Sequence, residues 1–464
     1  MPGKVAVKLD KNTIAKAASG KKIITVTGTN GKTTTSHMIS EMLTAEGFSV
    51  INNISGANLA SGVATTLLCG KPENKEKDPS KIVYVLETDE AAFAKIAGSL
   101  QPMCSVVTNL FRDQLDRYGE LTHTGNMILG GLDKTEAVMI LNSDDSLVAS
   151  MGNGREKRAV FYGLDKEDMR SNNVNFPEKS SFLKASSDAV YCPSCKVKYE
   201  YKARSFSHLG DFFCPKCGFS SPKNRFSLRY SLAKSPSNPG YRFKIFDSHS
   251  DVEKEIELKI PGMHNLYNTC AAVSCVTVFE ELNAVREGKV KEGDSLGSKY
   301  FERAAEASDK VKAAFGRMEK FKVGDKEICI LLVKNPAGLD RSLSFISEAE
   351  DIGGLMLLLN SNIADGKDVS WIWDVDFESK APDFPSNICV SGERYTEMLL
   401  RVIYAGVNPD DIKSGPMEDA EKLLEEALNK CEAGKCVYIL PNYTSMLALR
   451  AVLVEKYNLK DFWK

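Results

Sequence analysis

The sequence predicts a two-domain α/β protein: a doubly wound, mostly parallel sheet carrying an inserted four-cysteine zinc ribbon, then a smaller α/β domain. Three observations carry this. Apolar strand-like runs alternate with helical stretches across residues 20–165, the pattern of βαβ units. Cys192, Cys195, Cys214 and Cys217 form two Cys-x-x-Cys pairs eighteen residues apart. Towards the C-terminus at least four apolar strands (328–333, 354–359, 369–373 and 436–440) interleave with helical stretches near 339–348, 393–404, 417–430 and 443–456.

Composition bounds the rest. A chain of 464 residues has room for two or three domains, each with its own core. With 43% hydrophobic and 26% charged residues it is not globally disordered, and a net charge of −2 removes any general electrostatic case for nucleic-acid binding. No apolar run reaches the ~18 residues of a membrane span and no signal-peptide core is visible, so a cytosolic protein is expected. Of twelve cysteines, the eight outside the paired motifs read as buried small hydrophobes.

The first chemical element is a strand, Ile23-Ile24-Thr25-Val26, running through Gly28-Thr29-Asn30-Gly31-Lys32-Thr33-Thr34 into a helix marked by Met38, Ile39, Met42 and Leu43. A glycine turn at a helix N-terminus gathers backbone N–H groups where the helix dipole favours an anion. Lys32 is placed to reach the β/γ-phosphates of ATP and the Thr33 hydroxyl to hold Mg2+. Gly28 and Gly31 enclose two residues, whereas the common phosphate loop has four between its glycine and the Gly-Lys pair. The bland alternative is a turn that merely joins strand to helix.

Ser49–Ile51 reads as the next strand, followed by a loop over 52–58, a helix to about Leu68 and a charged loop over 71–80. Ile82–Leu86 suits a strand covered on both faces and ends in Glu87, a second Mg2+ ligand candidate, because a carboxylate there enters the crevice used by α/β enzymes. Asp89 and Glu90 read instead as a solvated helix cap. Cys104–Val107 and Ala137–Leu141 continue the sheet. All four positions of the zinc site are filled by cysteine sulfur, so the Zn2+ of the ribbon, about 188–222, is expected to be structural. Lys196, Lys198, Lys202 and Arg204 are offset there by Glu200 and Asp211. Residues 225–260 alternate as an antiparallel patch, and a charged helical connector spans 280–312.

The loop Thr27–Thr34 resembles that of the Mur ligase family, ATP-dependent ligases of peptidoglycan precursors, and of the folylpolyglutamate synthetases. So do Thr108-Asn109 with the following segment, where Gln114 stands at the family's metal-site histidine, and the turn Leu141-Asn142-Ser143-Asp144-Asp145. Gly262-x-His264-Asn265-x-x-Asn268 and Gly316-Arg317-x-Glu319 complete the set. The resemblance implies that Asn268 faces the nucleotide and that Arg317 approaches it near a hinge, dividing the chain at about 320 into domains 1–320 and 321–464. Asn335 stands where the ligases carry a nucleotide-contacting loop. Because the nucleotide loop begins almost at once, the N-terminal UDP-binding domain of the amino-acid ligases is not expected.

The short N-terminus, the ribbon and Trp371-Ile372-Trp373-Asp374 together resemble the MurT family, the Mur ligase-like subunit of lipid II isoglutaminyl synthase. That resemblance implies ATP-dependent amidation of the D-glutamate α-carboxylate in lipid II through an acyl phosphate. Ammonia would come from a glutaminase partner, GatD, in a heterodimer or larger complex at the inner membrane face. It assigns the acidic member of the glutaminase machinery to Asp374, with Asp376 and Asp365 as alternatives. A stand-alone polyglutamate-type ligase and a nucleotide-switched scaffold are the competing readings.

Overall fold

The computed structural model describes residues 2–53, 57–72, 76, 78–111, 121–171, 189, 191–205, 208–229, 241–258, 263–291, 298–311, 319–347 and 349–457. Two compact units emerge, one from residues 1–111, 120–177 and 188–312, the other chiefly from 313–464. Arg317 and Gln114 lie outside the described residues.

The first unit is built on nine strands: β1 Lys22–Thr27, β2 Ser49–Asn52, β3 Ile82–Glu87, β4 Cys104–Val107, β5 Val138–Asn142, β6 Ala159–Leu164, β9 Phe226–Arg229, β10 Tyr241–Asp247 and β11 Val252–Leu258. Their order is β11-β10-β9-β6-β5-β4-β1-β3-β2. All neighbouring pairs from β2 to β9 are parallel, and only β10 and β11 run antiparallel to their neighbours. The expected antiparallel patch is present as β9-β10-β11 and is continuous with the main sheet. Its first strand, β9, lies parallel to β6 and extends the main sheet.

Every residue of β1 is buried, as its β-branched run requires of a central strand. Ile23, Leu86, Val63, Leu67 and Leu100 share one core cluster, and Phe93, Ile128, Met139, Leu141 and Val148 another. The helix Met263–Arg286 buries Ala271, Ala272, Cys275, Val276 and Phe279 and packs on the helix Lys32–Ala45. Because β1 pairs with β3 on one side and β4 on the other, its carboxyl end is the point where strand order reverses. Open α/β sheets bind ligands there.

Between β6 and β9 lies a two-stranded antiparallel hairpin, β7 Glu200–Arg204 and β8 Gly210–Phe213. It carries the cysteine knuckles.

The second unit is a six-stranded sheet of β12 Glu319–Val323, β13 Lys326–Ile330, β14 Ile352–Leu358, β15 Ile388–Ser391, β16 Ile412–Ser414 and β17 Cys436–Pro441. The order is β12-β13-β17-β14-β15-β16, parallel except for the β12–β13 pair. Helices Pro336–Ser347, Tyr395–Tyr404, Ala420–Lys430 and Tyr443–Tyr457 correspond to the four expected stretches.

One expected strand, 369–373, is absent: Ser370–Asp374 forms a 3-10 turn. Its carbonyls are drawn inward by Arg401, a fully buried arginine whose Nε donates to Ile372 O (3.1 Å) and Nη2 to Val375 O (2.6 Å), while the guanidinium makes two 2.8 Å bonds to Glu378. It also stacks on Trp373 and Phe377. A guanidinium holding two carbonyls of a turn competes successfully with a strand ladder. Arg401→Ala is expected to lower unfolding free energy by about 2–4 kcal/mol through two stranded carbonyls and a cavity. Arg401→Lys, unable to reproduce the fork, should recover little of it in urea denaturation.

Candidate functional site

At the end of β1 the chain turns through Gly28 (φ 118°) and Gly31 (φ 84°), both left-handed. A Cβ on Gly28 would sit 2.4 Å from Thr108 Oγ1, and one on Gly31 2.3 Å from Asn268 Oδ1. Neither position accepts a side chain. Gly31 then caps the helix Lys32–Ala45, whose first turn carries Lys32, Thr33 and Thr34. Two glycines that strip the loop of side chains at a helix N-terminus make a cradle of the kind that binds phosphate.

The loop is clasped from the next strand. Thr29 N donates to Asn109 O (2.8 Å) and Asn30 N to Asn109 Oδ1 (2.9 Å). Asn30 O accepts from Thr108 Oγ1 (2.7 Å) and Asn109 Nδ2 (3.1 Å). The Thr108-Asn109 motif thus has a local purpose, the tying of the phosphate loop to β4. Asn268 is buried, receives no space from Gly31 and donates its Nδ2 to Asn265 Oδ1 at 3.0 Å, which turns its oxygen towards the loop.

Glu87 ends β3 in register with Val26 of β1. Its backbone is locked to Asn53 by two 2.8 Å bonds, and its Oε1 accepts from Asn58 Nδ2 at 3.3 Å. The buried Glu87 carboxylate and the Thr33 hydroxyl in the first turn of the helix Lys32–Ala45 are both hard oxygen donors, the kind Mg2+ takes.

Glu90 corrects the sequence reading. It is no solvated cap. Its carboxylate is buried and pairs with Lys32 Nζ at 3.0 Å, while the same ammonium donates to Gly28 O (2.6 Å). Burial raises the Glu90 carboxyl above the ordinary range, against the pull of Lys32. Asp89 does cap the helix, accepting from Ala91 N and Ala92 N, and is likewise buried. Sequence spacing alone could not show that the loop lysine folds back onto the helix after β3. Glu90→Ala is expected to cost about 3 kcal/mol by leaving a buried ammonium uncompensated. Added MgATP should then raise the melting temperature of the variant more than that of the wild type, since phosphates would replace the lost counter-charge.

Cys192, Cys195, Cys214 and Cys217 converge, their sulfurs all within 4.8 Å of one another. Four thiolates at ~2.3 Å from one tetrahedral Zn2+ stand about 3.8 Å apart, so the set fits that ion. The Cys192–Cys217 pair is 3.6 Å apart and the Cys195–Cys214 pair 3.3 Å.

The remaining candidates belong to the second unit. Asn335 is buried and accepts Gly338 N at 2.8 Å, capping the helix Pro336–Ser347. Asp365 is buried and accepts the backbone N and the hydroxyl of Thr444. Asp376 accepts Ser379 N at 3.2 Å. Asp374 is exposed at the end of the Arg401-braced turn.

Comparison with known proteins places this geometry. Residues 26–202 match the Mur ligase middle domain and residues 332–446 the MurT ligase C-terminal domain. A Streptococcus pneumoniae protein named lipid II isoglutaminyl synthase (glutamine-hydrolyzing) subunit MurT is 33% identical over 98% of this chain and 92% of its own. The chain belongs to the MurT family. A Staphylococcus aureus MurT subunit is 31% identical over 99% of this chain and 92% of its own. Two solved structures share the fold. One is a pseudomurein peptide ligase type C from Methanothermus fervidus (TM-score 0.62, 21% identity, 95% of this chain and 80% of that one), the other MurF from Acinetobacter baumannii (0.63, 15%, 96% and 79%). This MurT-family chain is thus an ATP-dependent carbon–nitrogen ligase by family and a Mur ligase by fold.

Proposed function

We propose that the protein amidates the α-carboxylate of D-glutamate in the lipid II stem peptide, using ATP and ammonia supplied by a glutaminase partner of the GatD kind. The observation that carries this reading is the side-chain-free cradle at Gly28 and Gly31, with Lys32 at its helix start and Asn268 against it, in a chain similar along its whole length to MurT subunits.

The substrate carboxylate oxygen attacks the γ-phosphorus as the bond to the β–γ bridging oxygen breaks, leaving ADP and an acyl phosphate. Ammonia nitrogen then attacks the acyl carbon, phosphate departs and the nitrogen gives up a proton. Such chemistry is chiefly positioning and charge neutralisation. Backbone N–H groups of residues 31–33, at the helix start, hold the phosphates, while those of Thr29 and Asn30 stay on Asn109, and Lys32 leaves Glu90 to meet charge developing on the transferred group. Mg2+ held by Thr33 and Glu87 would neutralise the remaining phosphate oxygens. Arg317 and Asn335 are proposed to complete the nucleotide contacts.

Around Asp374 the exposed Trp373 and Tyr404 pack edge to face at 5.6 Å beside exposed Leu400. Aromatic residues presented around a carboxylate are the composition of a protein interface, and this patch is the proposed seat of the glutaminase. Among the described residues no helix is long and apolar enough to cross a membrane, so access to a lipid-linked substrate would be peripheral. The test is to combine the purified protein and its glutaminase with MgATP, glutamine and lipid II and to follow conversion of acid to amide by mass spectrometry. Turnover of folate and glutamate by the protein alone, without amidation of lipid II, would overturn the proposal in favour of a polyglutamate-type ligase.

A further inference from the structure

The ribbon is fastened to the first unit through a buried polar network that leads to the nucleotide loop. His208, in the connection between β7 and β8, is fully buried, and its Nε2 lies 3.3 Å from Asp145 Oδ2. The same Asp145 oxygen accepts Leu110 N at 2.7 Å, while Oδ1 accepts the backbone N of Leu147 and Val148 and caps the helix Ser146–Ser150. The His208 ring packs on Phe111 with centroids 4.8 Å apart. Leu110 and Phe111 directly follow the Thr108-Asn109 clasp, and Phe111 N donates to Thr29 Oγ1 at 3.1 Å.

Asp144 makes a parallel set of bonds. It accepts Tyr267 Oη (2.8 Å) and Leu164 N (2.8 Å), pairs with Lys166, and passes its carbonyl to Gly210 N at the start of β8 (2.9 Å). Ser205 Oγ, from the end of β7, reaches the same Tyr267 hydroxyl at 2.9 Å. Cys192 and Cys214 themselves share a core cluster with Ala149 of the Asp145-capped helix. The knuckles therefore rest on the helix whose cap holds the clasp segment.

We propose that the cysteine ribbon is a positioning element for the nucleotide loop, with His208 as the residue that transmits its order. In sequence along the path, metal-bound knuckles fix the β7–β8 hairpin, His208 fixes the second carboxylate oxygen of Asp145, Asp145 fixes Leu110 N, and Phe111 fixes Thr29. A buried hydrogen bond between two groups without access to water constrains both strongly, because breaking it leaves each unsolvated. His208 touches no phosphate in this scheme. It acts through Asp145 and Phe111. The proposal rests on residues 28–34 being the ATP site.

The experiment uses the full-length protein with its glutaminase and measures ATP affinity by calorimetry, zinc per chain, melting temperature, and KM for ATP and for glutamine. His208→Phe keeps a ring against Phe111 and removes the bond to Asp145. It should retain zinc and weaken ATP binding about tenfold. KM for glutamine should not change, a split that general loss of fold would not give. His208→Gln, whose amide nitrogen reaches to about the position of Nε2, should restore affinity to within about threefold. If His208→Phe does not fold, Cys217→Ser at the exposed knuckle gives the second arm. ATP affinity should then fall together with zinc content. Wild-type ATP affinity in His208→Phe, or in a folded zinc-free Cys217→Ser, would overturn the proposal. Lys32→Ala separates the two levels, since unaltered ATP binding in that variant would sink the site itself, whereas unaltered binding in the ribbon variants alone would sink only the coupling.

Discussion

Lys32→Ala is expected to abolish ATP-dependent turnover, by at least ~10^3-fold in kcat/KM, while leaving a folded protein that still binds its glutaminase. The size follows from what the ammonium does in the proposed mechanism. It is a full charge in a partly water-excluded cradle, directed at oxygens whose charge redistributes during transfer. The survival of the fold follows from Glu90. In the wild type the two groups neutralise each other in a site where Glu90 is buried and its carboxyl already lies above the ordinary range. Without the Lys32 ammonium nothing offsets the effect of burial, so Glu90 takes up a proton rather than remaining a buried anion.

The sign of the accompanying pH dependence is fixed. A carboxyl raised in the folded state above its unfolded value, near 4.5, stabilises the fold fully below that value and loses the contribution as pH climbs through the folded one. The stability deficit of Lys32→Ala relative to wild type should therefore be small near pH 5 and grow towards pH 8, as measured by chemical denaturation. A deficit independent of pH would mean that Glu90 is not the partner left behind.

Much of the first unit was legible in sequence because its signals are local. The β-branched run before Gly28, the glycines flanking two residues and the helix after them need no long-range information, and Gly28 and Gly31 adopt the positive φ their positions called for. The Cys-x-x-Cys pairs were equally local, and their sulfurs do converge. What sequence could not show is pairing between distant side chains. Glu90 reads as an ordinary acidic residue in a first helical turn until β1 and β3 are seen side by side, and His208 reads as a loop residue until the hairpin is laid on Asp145. Asp144 and Asp145 offered the one available hint, two adjacent acids after a buried strand. Trp371–Asp374 misled for the opposite reason: its alternation suits a strand, yet Arg401, some thirty positions later, supplies the carbonyl partners that make a turn cheaper than a ladder. The strand β15, Ile388–Ser391, was also not among the expected ones, although it is as long as β4.

Asp374→Asn is expected to remove glutamine hydrolysis by the complex, roughly 10^3–10^4-fold, with complex formation and ATP binding retained. In cysteine–histidine chemistry an acidic side chain holds the imidazole in its working tautomer, and an amide of the same shape holds it in the wrong one. Three aspartates compete for that task, and their surroundings separate them. Asp365 is buried and bound to Thr444 through both backbone and hydroxyl, so Asp365→Asn should act first on stability by weakening the start of the helix Tyr443–Tyr457. Asp376 is engaged in capping the turn at Ser379. Asp374 combines exposure with a braced backbone: Arg401 pins the carbonyls of Ile372 and Val375 on either side of it, so its main chain is held in place directly after Trp373, which packs on Tyr404. A carboxylate meant to orient a histidine on another chain requires both properties, since a mobile one would yield its advantage to side-chain entropy. Hydrolysis at the wild-type rate in Asp374→Asn would transfer the role to Asp376. Loss of complex formation would instead make Asp374 an anchor of the interface, and Trp373→Ala would then be expected to weaken association in the same assay without altering ATP binding.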